Sequence, residues 1–519
     1  DFSPIASAGH GMERTDLAPA AAALAARPAP GQGSSGLVIV QGRPHQLVLV
    51  PMKAPLQVGW VAMGFPLDER LGGFVVEAQE DFAFVDGKDK ASYAGGNRGS
   101  LLTRTLRDGS DYVIVTDYLP SQRNEQSDVV LYKVNAKTAK GQRVAFSPVP
   151  NARFVVNREG EPRVATGAAG YAESEVHYYD AGSKSWRRIQ SEKETGLTME
   201  PWVMHGDDKR FYAVVQEQTG PSGLYLVSPD GSKELVARDE VADPVSFVSS
   251  LDGKDIIAVE FNSTQPKRQY LMPDHPDAKL LKSLGASFPG QIVSFANATL
   301  DGNKLVFVVR SDRNPGEFFL FDRESGKATY LASTRQWMDP ELMSEMKLIS
   351  FDARDGRKIH GWLTLPKGSD GKNLPLIVNP HGGPHGPYDD WGFNPEVQLF
   401  ASRGYAVLQP NFRGSGGFGK EFQESGYRQW GGTMQDDVTD ATLWAIKEGI
   451  ADKDRVCIYG ASYGAYAALM GVAKEPDLYQ CAIGFVGVYD LKTMYKRGDI
   501  RERDSGVEYL EEILGTNDS

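Results

Sequence analysis

Two short motifs hold the residues most able to do chemistry. Gly460-Ala461-Ser462-Tyr463-Gly464 places a serine between two glycines, after the apolar run 455–459 and before the alanine-rich stretch 465–473. A G-x-S-x-G between a buried strand and a helix is the sequence form of a nucleophile elbow. The serine is held in a tight turn, and larger side chains in place of the glycines would collide with the strand and helix that it joins. His381-Gly382-Gly383-Pro384 follows a second apolar run, 374–379. Its two glycines allow a backbone N–H to approach a substrate. With the N–H of Tyr463 they would supply two donors to a tetrahedral oxyanion, each worth about 3 kcal/mol. The chemistry implied is acyl transfer through Ser462, with Tyr463, Gly382 and Gly383 as the oxyanion hole. The imidazoles of His381 and His385 are read as loop packing, because His381 stands on the oxyanion strand ahead of the serine.

The elements around these motifs alternate. Runs 347–351 and 359–365, joined across Asp355-Gly356, read as an antiparallel pair, and 374–379 and 405–409 as strands buried on both faces. A helix between the latter is capped by Asn394, opened by Pro395 and closed before Gly404. A second spans 436–448, with Gly449 as its stop and the carboxylates Asp436, Asp437 and Asp440 at its positive end. This is the texture of an α/β sheet. Residues 37–333 differ: short β-rich runs (112–116, 129–134, 211–215, 256–261, 305–310 and 318–321) are separated by turn pairs such as Asp86-Gly87, Asp230-Gly231 and Asp301-Gly302. A unit of strands and turns restarts near Asp207, Asp252 and Asp301. Its period of roughly 45 to 50 residues suits a four-stranded propeller blade and implies roughly six to eight blades. A pair of β-sandwiches is the competing reading. The expected fold class is an all-β propeller followed by an α/β-hydrolase domain. The expected domains are an extension or linker at 1–36, a propeller at 37–335 and a catalytic domain at 336–519.

Composition excludes several roles. Apolar residues make up 41% and charged residues 24% of 519, ordinary values for a globular protein, and no apolar run nears the roughly 20 residues of a membrane span. The net charge of −12 argues against nucleic acid and anionic lipid surfaces as partners. Cys457 and Cys481 lie in apolar runs and read as two buried thiols, leaving the compartment open. The start at Asp1 suggests a processed N-terminus and hence a periplasmic or secreted protein, with a cytoplasmic one as the alternative. No metal or cofactor is expected. The spacing His381–His385 runs through Gly-Gly-Pro, which is no helical face, and the remaining histidines are scattered. Arg497, Arg501 and Arg503 alternate with acids and read as a solvated surface.

Taken together, a propeller texture, H-G-G-P, Asn411-Phe412-Arg413-Gly414-Ser415-Gly416 and the elbow with its Tyr466-Ala467-Ala468-Leu469 continuation resemble the prolyl oligopeptidase family. The likeness is closest to its dipeptidyl-peptidase and acylaminoacyl-peptidase branches and is specific over about 340–495. It implies a serine peptidase acting on short peptides, with the propeller restricting access. It also implies that the strand end at Phe485, Val488 and Tyr489 forms part of the pocket for the residue before the scissile bond.

One departure stands out. In this fold the triad runs serine, acid, histidine, yet all eight histidines precede Ser462. The triad acid and base are therefore not in this chain, and a free hydroxyl is a poor nucleophile. The apolar run 481–488 would also leave a bare sheet edge. The expectation is a further segment of on the order of 130 residues of the same protein, carrying two strands and both missing groups. Two other functions remain in view: a carboxylesterase, against which the long β domain argues, and a binding protein with an inactive hydrolase domain.

Overall fold

The computed structural model describes residues 34–40, 43–53, 57–66, 83–85, 91–93 and 100–516, except 107, 120–125, 263–265 and 300, with side chains from residue 100 onward. Most of the expected extension at 1–36, and the turn at Asp86-Gly87, lie outside the described residues. The chain forms two compact units, residues 1–169, 174–190 and 297–303, and residues 170–173, 191–296 and 304–519.

Both units contain antiparallel sheets whose strands pair in chain order. In the first, Ser100–Thr105, Tyr112–Tyr118, Val129–Asn135 and Gly141–Phe146 form one sheet, and Arg153–Val156, Pro162–Ala168, Ser174–Asp180 and Ser185–Ser191 another. Ile114, Leu131, Phe154 and Ala165 make an apolar core. In the second unit, sheets begin at Met199, Pro244 and Ile292 and end at Ala237, Tyr270 and Ser333, the middle one having three strands. These starts keep the roughly 45 to 50 residue period read from the sequence. Five blade sheets are thus described, against an expected six to eight. In the strand Phe211–Val215, Phe211, Ala213 and Val215 are buried while Tyr212 and Val214 are half-buried. That is the two-residue alternation of a strand with one face in the core. Gly231, Gly253 and Gly302 close the hairpins with φ of 89°, 68° and 69°, a backbone that favours glycine.

The hydrolase sheet has six strands: β1 (Met346–Asp352), β2 (Lys358–Thr364), β3 (Leu374–Val378), β4 (Ala406–Asn411), β5 (Ala451–Ala461) and β6 (Cys481–Phe485). Their order is β1-β2-β4-β3-β5-β6, antiparallel as far as β4 and parallel from there to β6. Every residue of β4 is buried, as expected for a parallel strand covered on both faces. Asn394 caps the helix Pro395–Ala401, its side chain accepting from the N–H groups of Glu396 and Val397 at 3.0 and 3.2 Å. The fold class is the expected one, propeller sheets followed by an α/β-hydrolase sheet.

Two expectations change. Cys457 and Cys481 are not buried thiols: they are direct register partners on β5 and β6, 4.7 Å apart at Cα, and form a disulfide with Cys481 exposed. Apolar runs hid this, because only strand pairing brings two residues 24 positions apart within bonding reach. The helix expected from 436 begins at Thr433. Asp437 lies on its buried face and is fully enclosed.

Candidate active site

β5 runs straight into the elbow. Ser462 has φ 56° and ψ −119°, a region that costs a non-glycine residue about 1–3 kcal/mol and persists only where the surroundings impose it. Those surroundings are visible. The Ser462 N–H donates to the Phe485 carbonyl of β6 at 3.0 Å, and its own carbonyl accepts from Ala465 and Tyr466 at 3.1 and 3.2 Å. The two motif glycines are needed for close approach. A Cβ on Gly464 would stand 2.1 Å from the Pro380 carbonyl oxygen, and one on Gly460 would stand 2.5 Å from the Gly464 backbone. The side chain of Ser462 is exposed, and its hydroxyl has no hydrogen-bond partner among the described residues.

The glycine loop after β3 lies against this elbow. Asn379 holds its base, donating to the Tyr459 carbonyl on β5 at 2.9 Å. A Cβ on Gly382 would fall 3.4 Å from the Ser462 Cβ and 3.2 Å from the Ala461 carbonyl oxygen. Gly382 is therefore stacked on the serine, and Gly383 follows with φ 117°. On the other side, Tyr463 opens the helix Tyr463–Lys474, so its N–H belongs to the first turn and has no acceptor within the helix. The tertiary fold thus brings together Ser462, Tyr463, Gly382 and Gly383, four residues that the two motifs named separately.

The histidines do not reach the serine. His381 Nδ1 lies 2.7 Å from the Gly382 carbonyl oxygen and Nε2 2.8 Å from Ser415 Oγ, with the ring stacked on Phe412 at 4.5 Å. Burial pushes its pKa down to about 4, and burial does the same for His385. Both rings are neutral at pH 7. Among the described residues no group of three or more His, Cys, Asp or Glu side chains could hold a metal ion.

What the sequence reading missed is the purpose of Asn411–Gly416. Asn411 exchanges two hydrogen bonds with Asp389, one each way, both 2.8 Å, and the Gly416 N–H donates to the Pro387 carbonyl at 3.1 Å. Trp362 Nε1 adds a 2.9 Å bond to the Asp389 carbonyl. Arg413 grips Asp437 through Nε and Nη2 at 2.8 and 2.7 Å and reaches Asp355 at 2.6 Å. The segment is a brace that fixes the loop carrying Gly382 and Gly383. Its polar residues were the available signal, since Asn and Arg beside buried strands need partners. Asp389 is unusual in this brace: one carboxyl oxygen bonds Gln409 at 2.7 Å while the other is buried without a partner. Burial pushes its pKa up to about 7.

Of the expected pocket residues, Phe485 and Tyr489 are exposed at the open edge of β6. Val488 is half-buried and packs against the hydrolase core. Among the described residues no helix is long and apolar enough to cross a membrane.

A strained serine on a strand-to-helix elbow, stacked against a glycine loop, is a geometry that can be compared with known proteins. The model of the prolyl oligopeptidase family matches residues 391–514, which include Ser462 and Tyr463. Residues 391–514 are a prolyl oligopeptidase family domain. Sequence relatives of this domain extend further along the chain. Dipeptidyl aminopeptidase BIII of Pseudoxanthomonas mexicana is 32% identical over 310 residues, covering 58% of this chain and 44% of the relative. Dipeptidyl peptidase family member 6 of Caenorhabditis elegans is 32% identical over 355 residues, covering 62% of this chain and 47% of that protein. The chain therefore matches less than half the length of these curated relatives. A crystal structure of puromycin hydrolase superposes with a TM-score of 0.62 at 20% identity, over 96% of this chain and 83% of that one. At that identity the likeness shows the fold alone.

Proposed function

We propose that this protein is a serine peptidase of the prolyl oligopeptidase type, cleaving short peptides through an acyl-enzyme on Ser462. One observation carries the reading: Ser462 is held at φ 56° and ψ −119° with Gly382 stacked beside it. The relatives named as dipeptidyl peptidases support the substrate class. In this mechanism Ser462 Oγ attacks the scissile carbonyl and loses its proton to a base. The carbonyl oxygen becomes an oxyanion held by the N–H of Tyr463 and by the Gly382-Gly383 backbone. Collapse expels the amine of the leaving peptide and leaves the ester, which water hydrolyses. The base is a histidine from outside the described residues, for both imidazoles nearest the elbow are engaged by the brace. The propeller sheets restrict entry to short peptides. The disulfide Cys457–Cys481 supports export to the periplasm or beyond, since such bonds persist in oxidising compartments.

The test is intact mass after exposure to a fluorophosphonate probe, followed by turnover of a peptide and ester panel. A single adduct on Ser462, lost in Ser462→Ala, with peptides cleaved faster than esters, is the expected result. Adduct formation with ester turnover alone would make the protein a carboxylesterase. A second reading, a binding protein, is favoured by the Ser462 hydroxyl having no hydrogen-bond partner among the described residues. Failure of the protein in its natural form to label would establish that reading in place of the first.

A further inference from the structure

The brace Asn411–Gly416 continues to Gly419, and its glycines lie between two other pieces of the second compact unit. On one side is the oxyanion loop. A Cβ on Gly416 would collide with the Gly386 carbonyl oxygen, and the Gly416 N–H donates to the Pro387 carbonyl at 3.1 Å. Pro387 in turn abuts Gly383, where an added Cβ would meet its Cγ and Cδ at 2.9 Å. Gly383 is thus held by Pro387, and Pro387 by Gly416.

On the other side is a blade. Residues 219–222 form the loop ahead of the strand Gly223–Val227, and Asp243 stands immediately before the strand Pro244–Ser249 of the next sheet. A Cβ on Gly419 would collide with the Gly220 carbonyl oxygen. Gly419 opens the helix Lys420–Glu424 with no side-chain cap, and its own N–H needs an acceptor from elsewhere.

Asp243 supplies that acceptor. One carboxyl oxygen accepts from the Gly419 N–H at 3.1 Å and the other from the Ser222 N–H at 2.6 Å, while the Asp243 N–H donates to the Gly417 carbonyl at 2.9 Å. Each of the two N–H groups faces its own oxygen. A carboxylate offers two acceptors and no donor, whereas an asparagine here would turn an NH₂ group towards one of them. The loop ahead of Asp243 is shaped separately: Asp239 accepts from the N–H groups of Val241 and Ala242 at 3.0 and 3.1 Å, and Val241 packs against the hydrolase core.

We propose that Asp243 is a positioning residue for the oxyanion hole: a carboxylate at the join of two blade sheets that holds Gly417 and Gly419 and, through Gly416 and Pro387, sets where Gly383 presents its backbone to the substrate. The effect on acyl transfer rests on the peptidase reading, whereas the mechanical link rests on these contacts alone. Catalysis then depends on the blade staying docked on the loop, because a donor displaced by about 1 Å no longer reaches the oxyanion well.

The experiment compares the protein in its natural form with Asp243→Ala, Asp243→Asn and, as a control away from the loop, Arg188→Met. Three quantities are measured: hydrogen exchange of segment 381–389, the rate of fluorophosphonate labelling at Ser462, and hydrolysis of alanyl-alanyl-4-nitroanilide. Circular dichroism melting checks that each variant folds. In Asp243→Ala the segment 381–389 is expected to exchange about tenfold faster. Its kcat and labelling rate should fall about tenfold at unchanged KM, less than the roughly 100-fold cost of removing an oxyanion donor outright. Asp243→Asn should lie between, and Arg188→Met should match wild type. Unchanged exchange of 381–389 in folded Asp243→Ala would overturn the proposal, as would a loss confined to KM. If Asp243→Ala does not fold, Asp243→Asn is held to the same criteria. Absence of labelling in every protein, with faster exchange in Asp243→Ala, would sink the peptidase reading only. Labelling and turnover at wild-type rates in both Asp243 variants would sink the positioning role only.

Discussion

The strand Phe211–Val215 in a blade is apolar throughout, whereas the strand β5 in the hydrolase sheet mixes apolar residues with charged ones, and their neighbourhoods tolerate change very differently. Around the blade strand, partners sit next to it in the chain, charged pairs lie at the surface and turn glycines face open space. Around β5, partners come from β3 and β6, and the motif glycines at its end touch other backbones. The lesson is that chemistry resides where long-range contacts force the chain into conformations that local preference opposes. The blades, built from local contacts, have no such place within a single sheet.

The sharpest way to break this contrast is a methyl group at each kind of glycine. Gly464→Ala places a Cβ 2.1 Å from the Pro380 carbonyl oxygen, and we expect it to abolish the folded elbow. The blade equivalent, Gly326→Ala, meets nothing within 4 Å and suffers only from φ 67°, costing about 1–2 kcal/mol. Urea denaturation of the two variants separates them. Comparable losses would remove the distinction.

Buried and surface charges form the next comparison. Arg413→Met strands Asp437 in the core, where no part of its side chain meets solvent, and should cost about 3–5 kcal/mol. Arg188→Met breaks the exposed pair with Glu175 and should cost under about 1 kcal/mol. The same denaturation midpoints read both.

Asp389 sharpens the contrast through pH. Its folded pKa of about 7 is above the ordinary value of 3.8. Its protonated form therefore adds stability that is complete below pH 3.8 and is lost as pH rises through 7. Asp389→Asn keeps the neutral shape. Relative to wild type, it should gain stability steadily between pH 4 and 7 and be constant above that window. A difference independent of pH would refute this. The smallest effect expected is at Ser462 itself. Ser462→Gly relieves the backbone at φ 56° and should raise stability by about 1 kcal/mol, less the lost side-chain contacts, while abolishing probe labelling.

Much of this was legible beforehand because it is local. The turn pairs, the Asn394 cap, the period of the blades and the two glycine motifs each depend on residues a few positions apart, so backbone sterics and hydrophobic alternation dictate them. The division into propeller and hydrolase textures followed from the same signals. Other features depend on pairings across tens or hundreds of residues. Cys457 meets Cys481 only because β5 and β6 align in register. Asp437 is a buried counter-ion only because its helix packs against Arg413. Gly382 stacks on Ser462 only because β3 and β5 are neighbours in a sheet whose order departs from the chain order. The sequence by itself determined which residues could form an elbow and an oxyanion loop, through spacing and glycine. Tertiary structure alone decided that they meet and that the nearby histidines are locked away in a brace. Long-range strand order and burial are properties of the whole packed chain, and no window of neighbouring residues contains them.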